Sequence, residues 1–456
     1  MKTIDQIAAE LAGYDPTSLR ADKVNAFLAE LVNPIPVTNT DTETVPLFDA
    51  LGRVLAQDVI SPISVPPHDN SAMDGFAFDG AQLQDGRALQ LTVIGTALAG
   101  AAWQGAVRQG ECVKIMTGAI MPQGLNTVVP QEMVSVTAQT EAAATISIAP
   151  NTLRLGDNRR FAGEDLMQGK PALSQGDTLT PAALGLIASL GLPSVTVFRR
   201  LRVAYFSTGD EILSLGEAPR EGAVYDSNRY TVFGLLRRMG CEVIDMGVVR
   251  DDPVQLEAAF IKAANSADAV ITSGGVSVGE ADYTRAMMKK LGAVSGGVAF
   301  WRIAMRPGRP MAVGRISAKN MIKSDSSQHN NCLGCYENDS AVLFGLPGNP
   351  VAVMVTFLAF VRPALLRMMG ANAKPLPLLK AASLEPIRKK PGRTEYQRGI
   401  VTTQADGTLT VQTTGNQGSG VLSSMAQANG LIVLHHDQGS VNTGDTVDVM
   451  MFEGVI

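Results

Sequence analysis

AVITSGGVSVGEADYT, residues 269–284, passes from strand to glycine turn to helix within a few positions. Ala269, Val270 and Ile271 have the apolar, β-branched character of a buried strand; Ser273 to Gly279 is glycine-rich; Tyr283 to Leu291 takes up helical spacing. Glycines allow positive φ and let successive N–H groups face one point. Beside a helix N-terminus, such a turn cradles a phosphate or another oxyanion. Glu280 and Asp282 stand at its mouth, where two carboxylates beside a phosphate suit a shared divalent cation. A glycine-rich loop can also be no more than a tight turn, so its neighbours carry the reading.

Around this stretch strand and helix alternate: LRVAYFS from Leu201, a helix near Tyr230 to Met239, EVIDMGVV, a helix near Pro253 to Ala264, then AVITS. This rhythm predicts a doubly wound, mostly parallel sheet, which binds ligands beyond the carboxyl ends of its strands. Acids lie at those ends: Asp210 and Glu211, Asp251 and Asp252, Glu280 and Asp282. One such pair reads equally well as a solvated turn or a helix cap, but three on one edge point to a site. Next, FWRIAMRPGRP (300–310) sets Arg302, Arg306 and Arg309 around a proline–glycine turn, suited to bidentate contact with an oxyanion. A second glycine turn, GLPGNP (345–350), joins an apolar strand to an apolar helix. Together these features predict a phosphorylated, nucleotide-like ligand with Mg²⁺.

Bulk properties frame the rest. A chain of 456 residues is too long for one core and implies three or four domains. Its net charge of −5 excludes a general nucleic-acid binder. The N-terminus has no signal-peptide hydrophobic region, so the expected location is the cytoplasm. The apolar run Ala341 to Val361 is broken by PGNP and reads as buried strand and helix, with no membrane span. Four cysteines do not make a disulfide framework in a chain of this length. Short β-like segments with glycine turns fill residues 60–161. Helical signals flank them, the clearest being Thr180-Pro181 to Gly191, so a β domain is inserted into a helical one. After Met369 a proline-rich stretch leads to strands that predict a small β barrel or sandwich over 373–456.

Seven motifs carry a family resemblance: PHDNSAMDGFA (67–77), IMTGA (115–119), NRR through GED (158–165), STGDE (207–211), residues 273–283, RPGRP (306–310) and GLPGNP (345–350). Over about residues 20–450 the chain resembles the molybdopterin molybdenumtransferases, a family that includes the E domain of gephyrin. The resemblance implies a multidomain α/β plus β fold: a discontinuous helical domain (1–59 and 162–199), an inserted β domain (60–161), a doubly wound molybdopterin-binding domain (200–372) and a C-terminal β barrel (373–456). It further implies a homodimer whose active site lies between the α/β domain of one subunit and the inserted β domain of the other. The family reaction inserts molybdate into adenylylated molybdopterin and releases AMP, with Mg²⁺ present. Partners would be the molybdopterin adenylyltransferase and molybdoenzyme maturation proteins, with no nucleic acid and no membrane.

Carried onto this chain, the resemblance gives Ser273, Gly274, Gly275, Ser277 and Gly279, with Gly348 and Asn349, as the pterin cradle. Asp251 and Asp282 would hold Mg²⁺, with Glu211 assisting. Asp74, Thr117, Arg160 and Asp165 would come from the partner subunit, and Arg302, Arg306, Arg398 and Ser419 would bind molybdate. Two departures stand out. Relatives often carry lysines in the segment of Arg302, Arg306 and Arg309, and a polar insertion near 317–340 contains His329, Cys332 and Cys335, a partial zinc pattern without a fourth ligand, read as a loop. The alternatives are an adenylyltransferase, which resembles only the α/β domain, and a gephyrin-like scaffold.

Overall fold

The computed structural model describes residues 2–139, 144–276, 283–293, 296–317, 340–372 and 374–452. Two helices open the chain: α1 (Ile4–Glu10), started by a capping box between Thr3 and Gln6, and α2 (Ala21–Leu31). Helix α2 buries Val24, Phe27, Leu28 and Leu31, which recur at helical spacing along one face. The sequence reading placed both helices in a helical domain with residues 162–199. Instead, their apolar stripe packs into the α/β core with Tyr205, Trp301, Phe344 and Phe360, and Phe27 meets Trp301 edge-on at 4.9 Å between centroids. A single apolar stripe needs a broad partner, and the sheet with its long apolar helix offers one. The unit left beside the insertion contains more strand than helix. Thr42–Pro46 pairs with Ser194–Phe198, Val59–Ile60 pairs with Pro171–Leu173, and α3 (Pro181–Ser189) is capped by Thr180 with proline in its first turn. Val45, Leu55, Leu179, Ile187 and Val197 form its core.

The inserted domain is one six-stranded sheet, in the order Thr127–Pro130, Gly75–Phe78, Glu111–Ile115, Leu89–Ala97, Ala144–Ile148, Val134–Gln139. A two-residue ribbon, Asn70–Ser71 against Arg159–Arg160, ties the outgoing chain to the returning one.

The central sheet comprises β1 (Arg202–Thr208), β2 (Glu242–Val249), β3 (Ala269–Ser273), β4 (Val298–Arg302), β5 (Pro310–Ile316) and β6 (Ala341–Leu346) in the order β2-β1-β3-β6-β5-β4. The first four neighbours are parallel; β5 runs against β6, and β4 against β5. Helices α4 (Ser227–Arg238), α5 (Pro253–Ser266), α6 (Tyr283–Gly292) and α7 (Pro350–Met368) cover it. With helices on both faces, β3 and β6 are buried at every residue. Helix α7 is long and apolar enough to cross a membrane, yet 78% of its apolar window is buried inside the protein, which makes it a core helix.

At the C-terminus Thr394–Thr403, Leu409–Thr413, Leu379–Ser383, Thr446–Met451 and Gly430–Leu434 pair in that order, and the last returns to the first, closing a five-stranded barrel. The short helix α8 (Ser423–Gln427) follows the polar glycine segment 415–420. Met305–Arg306 pairs with Thr394–Glu395, which docks the barrel onto the arginine turn of the α/β domain.

Candidate active site at the carboxyl edge of the central sheet

The strand order sets the chemistry out in sequence along one edge. Asp251 follows β2, Asp210 and Glu211 follow β1, the first glycine turn follows β3, GLPGNP follows β6, and the arginine turn links β4 to β5. Carboxylates lie at one end, with Arg220 and Arg250 donating to the Asp210 carbonyl, the arginine turn lies at the other, and glycine turns lie between them. Gly274 and Gly275 have φ of +92° and +64°, and neither position tolerates a side chain. A Cβ on Gly274 would stand 2.6 Å from the Thr208 carbonyl oxygen, and one on Gly275 would stand 2.5 Å from Thr284 Cγ2.

The expected cradle is modified in detail. The Ser273 hydroxyl faces inward, in a buried network with Tyr205 Oη at 2.7 Å and Ser207 Oγ at 3.1 Å. The Gly274 N–H donates to the Leu346 carbonyl at 3.1 Å, so it serves the sheet and not a ligand. Strand pairing uses both groups because β3 is central, with a neighbour on each side. Ser277, Gly279 and Asp282 lie outside the described residues, as do Cys332 and Cys335.

The second turn meets the barrel. Asn228 Nδ2, on α4, donates to the Gly348 carbonyl at 2.7 Å, and Asn349 stands at the N-cap of α7 with its side chain free of the cap. The Val351 N–H donates to the Ser419 carbonyl at 3.1 Å, which brings the polar glycine segment of the barrel against Asn349. A cavity of about 460 Å³ results, lined by Arg306, Arg309, Gly348, Asn349 and Ser419. Arg302 lines the neighbouring cavity instead. Arg302, Arg306 and Arg309 are exposed and form no ion pair with another described residue.

Arg398 is 1% exposed and holds the floor of this region. Its Nε donates to Ser424 Oγ at 2.9 Å, and its Nη2 donates to the carbonyls of Asn416 and Gly418 at 3.2 and 3.0 Å. All three acceptors are neutral. Burial, with the charge of Arg306 added, lowers the guanidinium to about 10. A buried cation beside three arginines, none of the four with a carboxylate partner among the described residues, makes the local field attractive to an anion. Arg398 and Gln417 clamp the polar glycine segment 415–420 against the barrel.

At the acidic end, the Asp251 N–H donates to Asp210 Oδ1 at 3.3 Å, so the Asp210 carboxylate rests against the Asp251 backbone, and the loops after adjacent strands meet. Asp252 caps α5 through Gln255 N–H at 2.9 Å, which removes it from the pair read in sequence. Glu211 is exposed, with its carboxylate folded over Gly209. Among the described residues no three acids, histidines or cysteines converge. The set still fits Mg²⁺, which binds through one or two carboxylates plus substrate phosphates.

The four residues expected from a partner lie on the inserted domain. Asp74 Oδ1 accepts the Thr117 N–H and hydroxyl, both at 2.7 Å, and these bonds hold its carboxyl below the usual range. Arg160 approaches Glu164 at 3.9 Å, and Asp165 is exposed. None of the four lines either carboxyl-edge cavity of its own chain. Sequence reasoning missed the support beneath them: Arg159 binds Asp69 through Nε at 2.9 Å and through Nη2, and Asp69 Oδ1 accepts the Ala162 N–H at 2.8 Å. The available signal was the NRR triplet, whose middle member points back to the acid that opens DNS. A larger cavity, about 690 Å³, lies between α2, α7 and the barrel, away from this edge.

Residues 20–191 match the MoeA N-terminal region (domain I and II), residues 204–367 a probable molybdopterin binding domain, and residues 380–452 the MoeA C-terminal region (domain IV). The chain is 40% identical over 439 residues to the molybdopterin molybdenumtransferase of Haemophilus influenzae, covering 96% of this chain and 100% of that one. It is 34% identical over 446 residues to the enzyme of that name from Nostoc sp., covering 96% and 94%. A crystal structure of the molybdopterin biosynthesis moeA protein from Pyrococcus horikoshii OT3 superposes with a TM-score of 0.73 at 27% identity, covering 95% of this chain and 100% of that one. With similarity running through all domains and not the α/β domain alone, the chain belongs to the molybdopterin molybdenumtransferase family, enzymes of molybdenum cofactor biosynthesis.

Proposed function

We propose that this enzyme inserts molybdate into the dithiolene of adenylylated molybdopterin, releasing AMP with Mg²⁺ bound. The observation that carries this reading is the order of the carboxyl edge, where the acids after two adjacent strands, the glycine turns and a cationic cavity follow one another in strand order. A substrate with a pyrophosphate at one end and an oxyanion acceptor at the other fits that order. Arg306, Arg309 and Ser419 line the cavity and bind molybdate, and Arg398, bonded to the Gly418 carbonyl behind the lining, adds its buried charge at a distance. Asp251, with Asp282 and Glu211, holds Mg²⁺, which supplies charge neutralisation at the leaving AMP phosphate. The reaction is positioning and electrostatics, in keeping with thiols at Cys112 and Cys241 that are buried and pushed up to about 12.

The working unit in this reading is a homodimer in which Asp74, Thr117, Arg160 and Asp165 complete the partner's site. Exposed apolar side chains support it on both surfaces concerned: Met73, Phe161 and Met167 beside the first group, and Leu215, Val224 and Tyr225 beside Glu211. The adenylyltransferase alternative is less favoured because the full-length relatives carry the inserting enzyme's name. The test is AMP release from adenylylated molybdopterin and Mg²⁺, with and without molybdate. Molybdate-dependent release with active cofactor formed is expected; adenylylation of molybdopterin by ATP with release of pyrophosphate, or no turnover at all, would refute it.

A further inference from the structure

Next to the oxyanion cavity, at the outer end of the same edge, lies a second cavity of about 510 Å³. It shares Arg309 and Pro310 with the first, and Val276, just after the glycine turn, also lines it. Its base is aromatic. Phe300 of edge strand β4 is half-buried, with the Arg285 guanidinium 4.5 Å from its ring centroid and Lys289 Nζ at 5.7 Å.

The outer wall is built by the N-terminal segment, which precedes the family match at residue 20. The Arg302 N–H donates to the Pro16 carbonyl at 2.8 Å, the Leu19 N–H to the Arg302 carbonyl at 3.0 Å and the Ala304 N–H to the Leu19 carbonyl at 2.7 Å, so residues 16–19 run as an extra rung beside the end of β4. Asp15 Oδ1 accepts both the N–H and the hydroxyl of Thr17, at 2.8 and 2.7 Å, and fixes Thr17 on the rim. Trp301 Nε1 donates to Tyr14 Oη at 3.0 Å and anchors the segment from below.

We propose that this cavity seats the fused pterin ring of the substrate, stacked between Phe300 with its Arg285 cover and the wall carrying Thr17. The inference rests on the function proposed above. In that reading the phosphates lie at the glycine turns and molybdate lies in the adjoining cavity, so the ring that carries the dithiolene must reach both. The adenosine lies beyond the phosphates, toward the acids of β1 and β2, and this leaves the basic end for the pterin. The chemistry agrees: a planar heterocycle rich in carbonyl and ring-nitrogen acceptors takes donors from guanidinium edges at Arg285 and Arg302, and its face takes an aromatic–guanidinium stack.

Two variants test it. Arg285→Ala removes one stacking cation, and Thr17→Trp fills the cavity from an exposed rim position that needs only its N–H bond to Asp15. Binding of reduced molybdopterin, of AMP with Mg²⁺ and of sodium molybdate is measured separately by anaerobic calorimetry on protein checked for an unchanged melting temperature. Expected are a roughly tenfold loss of molybdopterin affinity in Arg285→Ala, a larger loss in Thr17→Trp, and AMP and molybdate affinities unchanged in both. Wild-type molybdopterin affinity in both variants would overturn the assignment while leaving the proposed function standing, as would a loss that falls on AMP instead. A wild-type protein that binds no molybdopterin would overturn both.

Discussion

Replacing Arg398 by methionine separates two roles that the buried guanidinium plays at once. As a clamp, it donates to the Asn416 and Gly418 carbonyls and to Ser424. Hydrogen bonds from a charged donor contribute about 1.5–3 kcal/mol each. Both carbonyls lie on a partly exposed segment where water replaces much of that, and Ser424 Oγ keeps its 2.6 Å bond to the Val421 carbonyl. Against this loss stands the relief of a buried charge without a counterion: holding a guanidinium at about 10 destabilises its charged form by on the order of 3 kcal/mol. The two effects are of similar size, so the expected change in stability is within about 2 kcal/mol, a shift of a few degrees in melting temperature. Methionine fills comparable volume and adds no polar group. Molybdate binding has no such compensation, because the dianion loses the attraction of a buried positive charge behind its cavity, about 2–4 kcal/mol at an effective dielectric of about 20, or a roughly 30- to 1000-fold weaker Kd. The assay is molybdate titration by calorimetry, paired with thermal unfolding. Arg398→Lys keeps the charge without the fork and should fall between the two. A methionine variant that binds molybdate normally, or one that unfolds while bound anion fails to protect the wild type, would refute the reasoning.

Further predictions follow from other parts of the edge. Gly275→Ala combines a positive φ with overlap against Thr284 and should destabilise the fold by about 1–3 kcal/mol, read as a lower urea midpoint; pairing it with Thr284→Ser or Thr284→Ala should recover part of the loss. Thr117→Val removes the hydroxyl donor to Asp74, so the Asp74 carboxyl should rise toward its ordinary value in an NMR titration. Because the folded Asp74 titrates below its unfolded value, whatever stability it contributes is present above that unfolded value and fades as pH falls through the folded one. Mixing inactive Asp74→Asn and Asp251→Asn subunits should restore roughly a quarter of wild-type AMP release, since half of the randomly formed dimers carry one intact site; no recovery would place both residues in a single subunit's site. In a Cys332→Ser/Cys335→Ser background the native protein should resist thiol reagents at pH 8, because Cys112 and Cys241 are buried and stay protonated, whereas the denatured protein should react.

Local physics settled much of this protein in the sequence alone. Helix α3 was legible because Thr180 and Pro181 determine a start by themselves, and the doubly wound sheet was legible because strands and helices of that length have few other packings. The glycines of the β3 turn and the acids after β1 and β2 were readable for the same reason: residue type restricts backbone and charge before any contact forms. Tertiary structure decided what those groups are free to do. Whether Ser273 faces a ligand or the sheet depends on Tyr205 and Ser207 across a neighbouring strand, and whether Asp252 binds metal or caps α5 depends on where that helix starts. Arg398 is a distant arginine in sequence; only barrel closure and the pairing of Met305–Arg306 with Thr394–Glu395 carry it beneath the arginine turn. Helix α2 carries an apolar stripe at helical spacing in sequence, but the stripe does not name its partner. Amphipathic periodicity reports that a face will be buried; which surface buries it is set by the competition among all apolar surfaces in the folded chain, and here the central sheet with α7 prevailed.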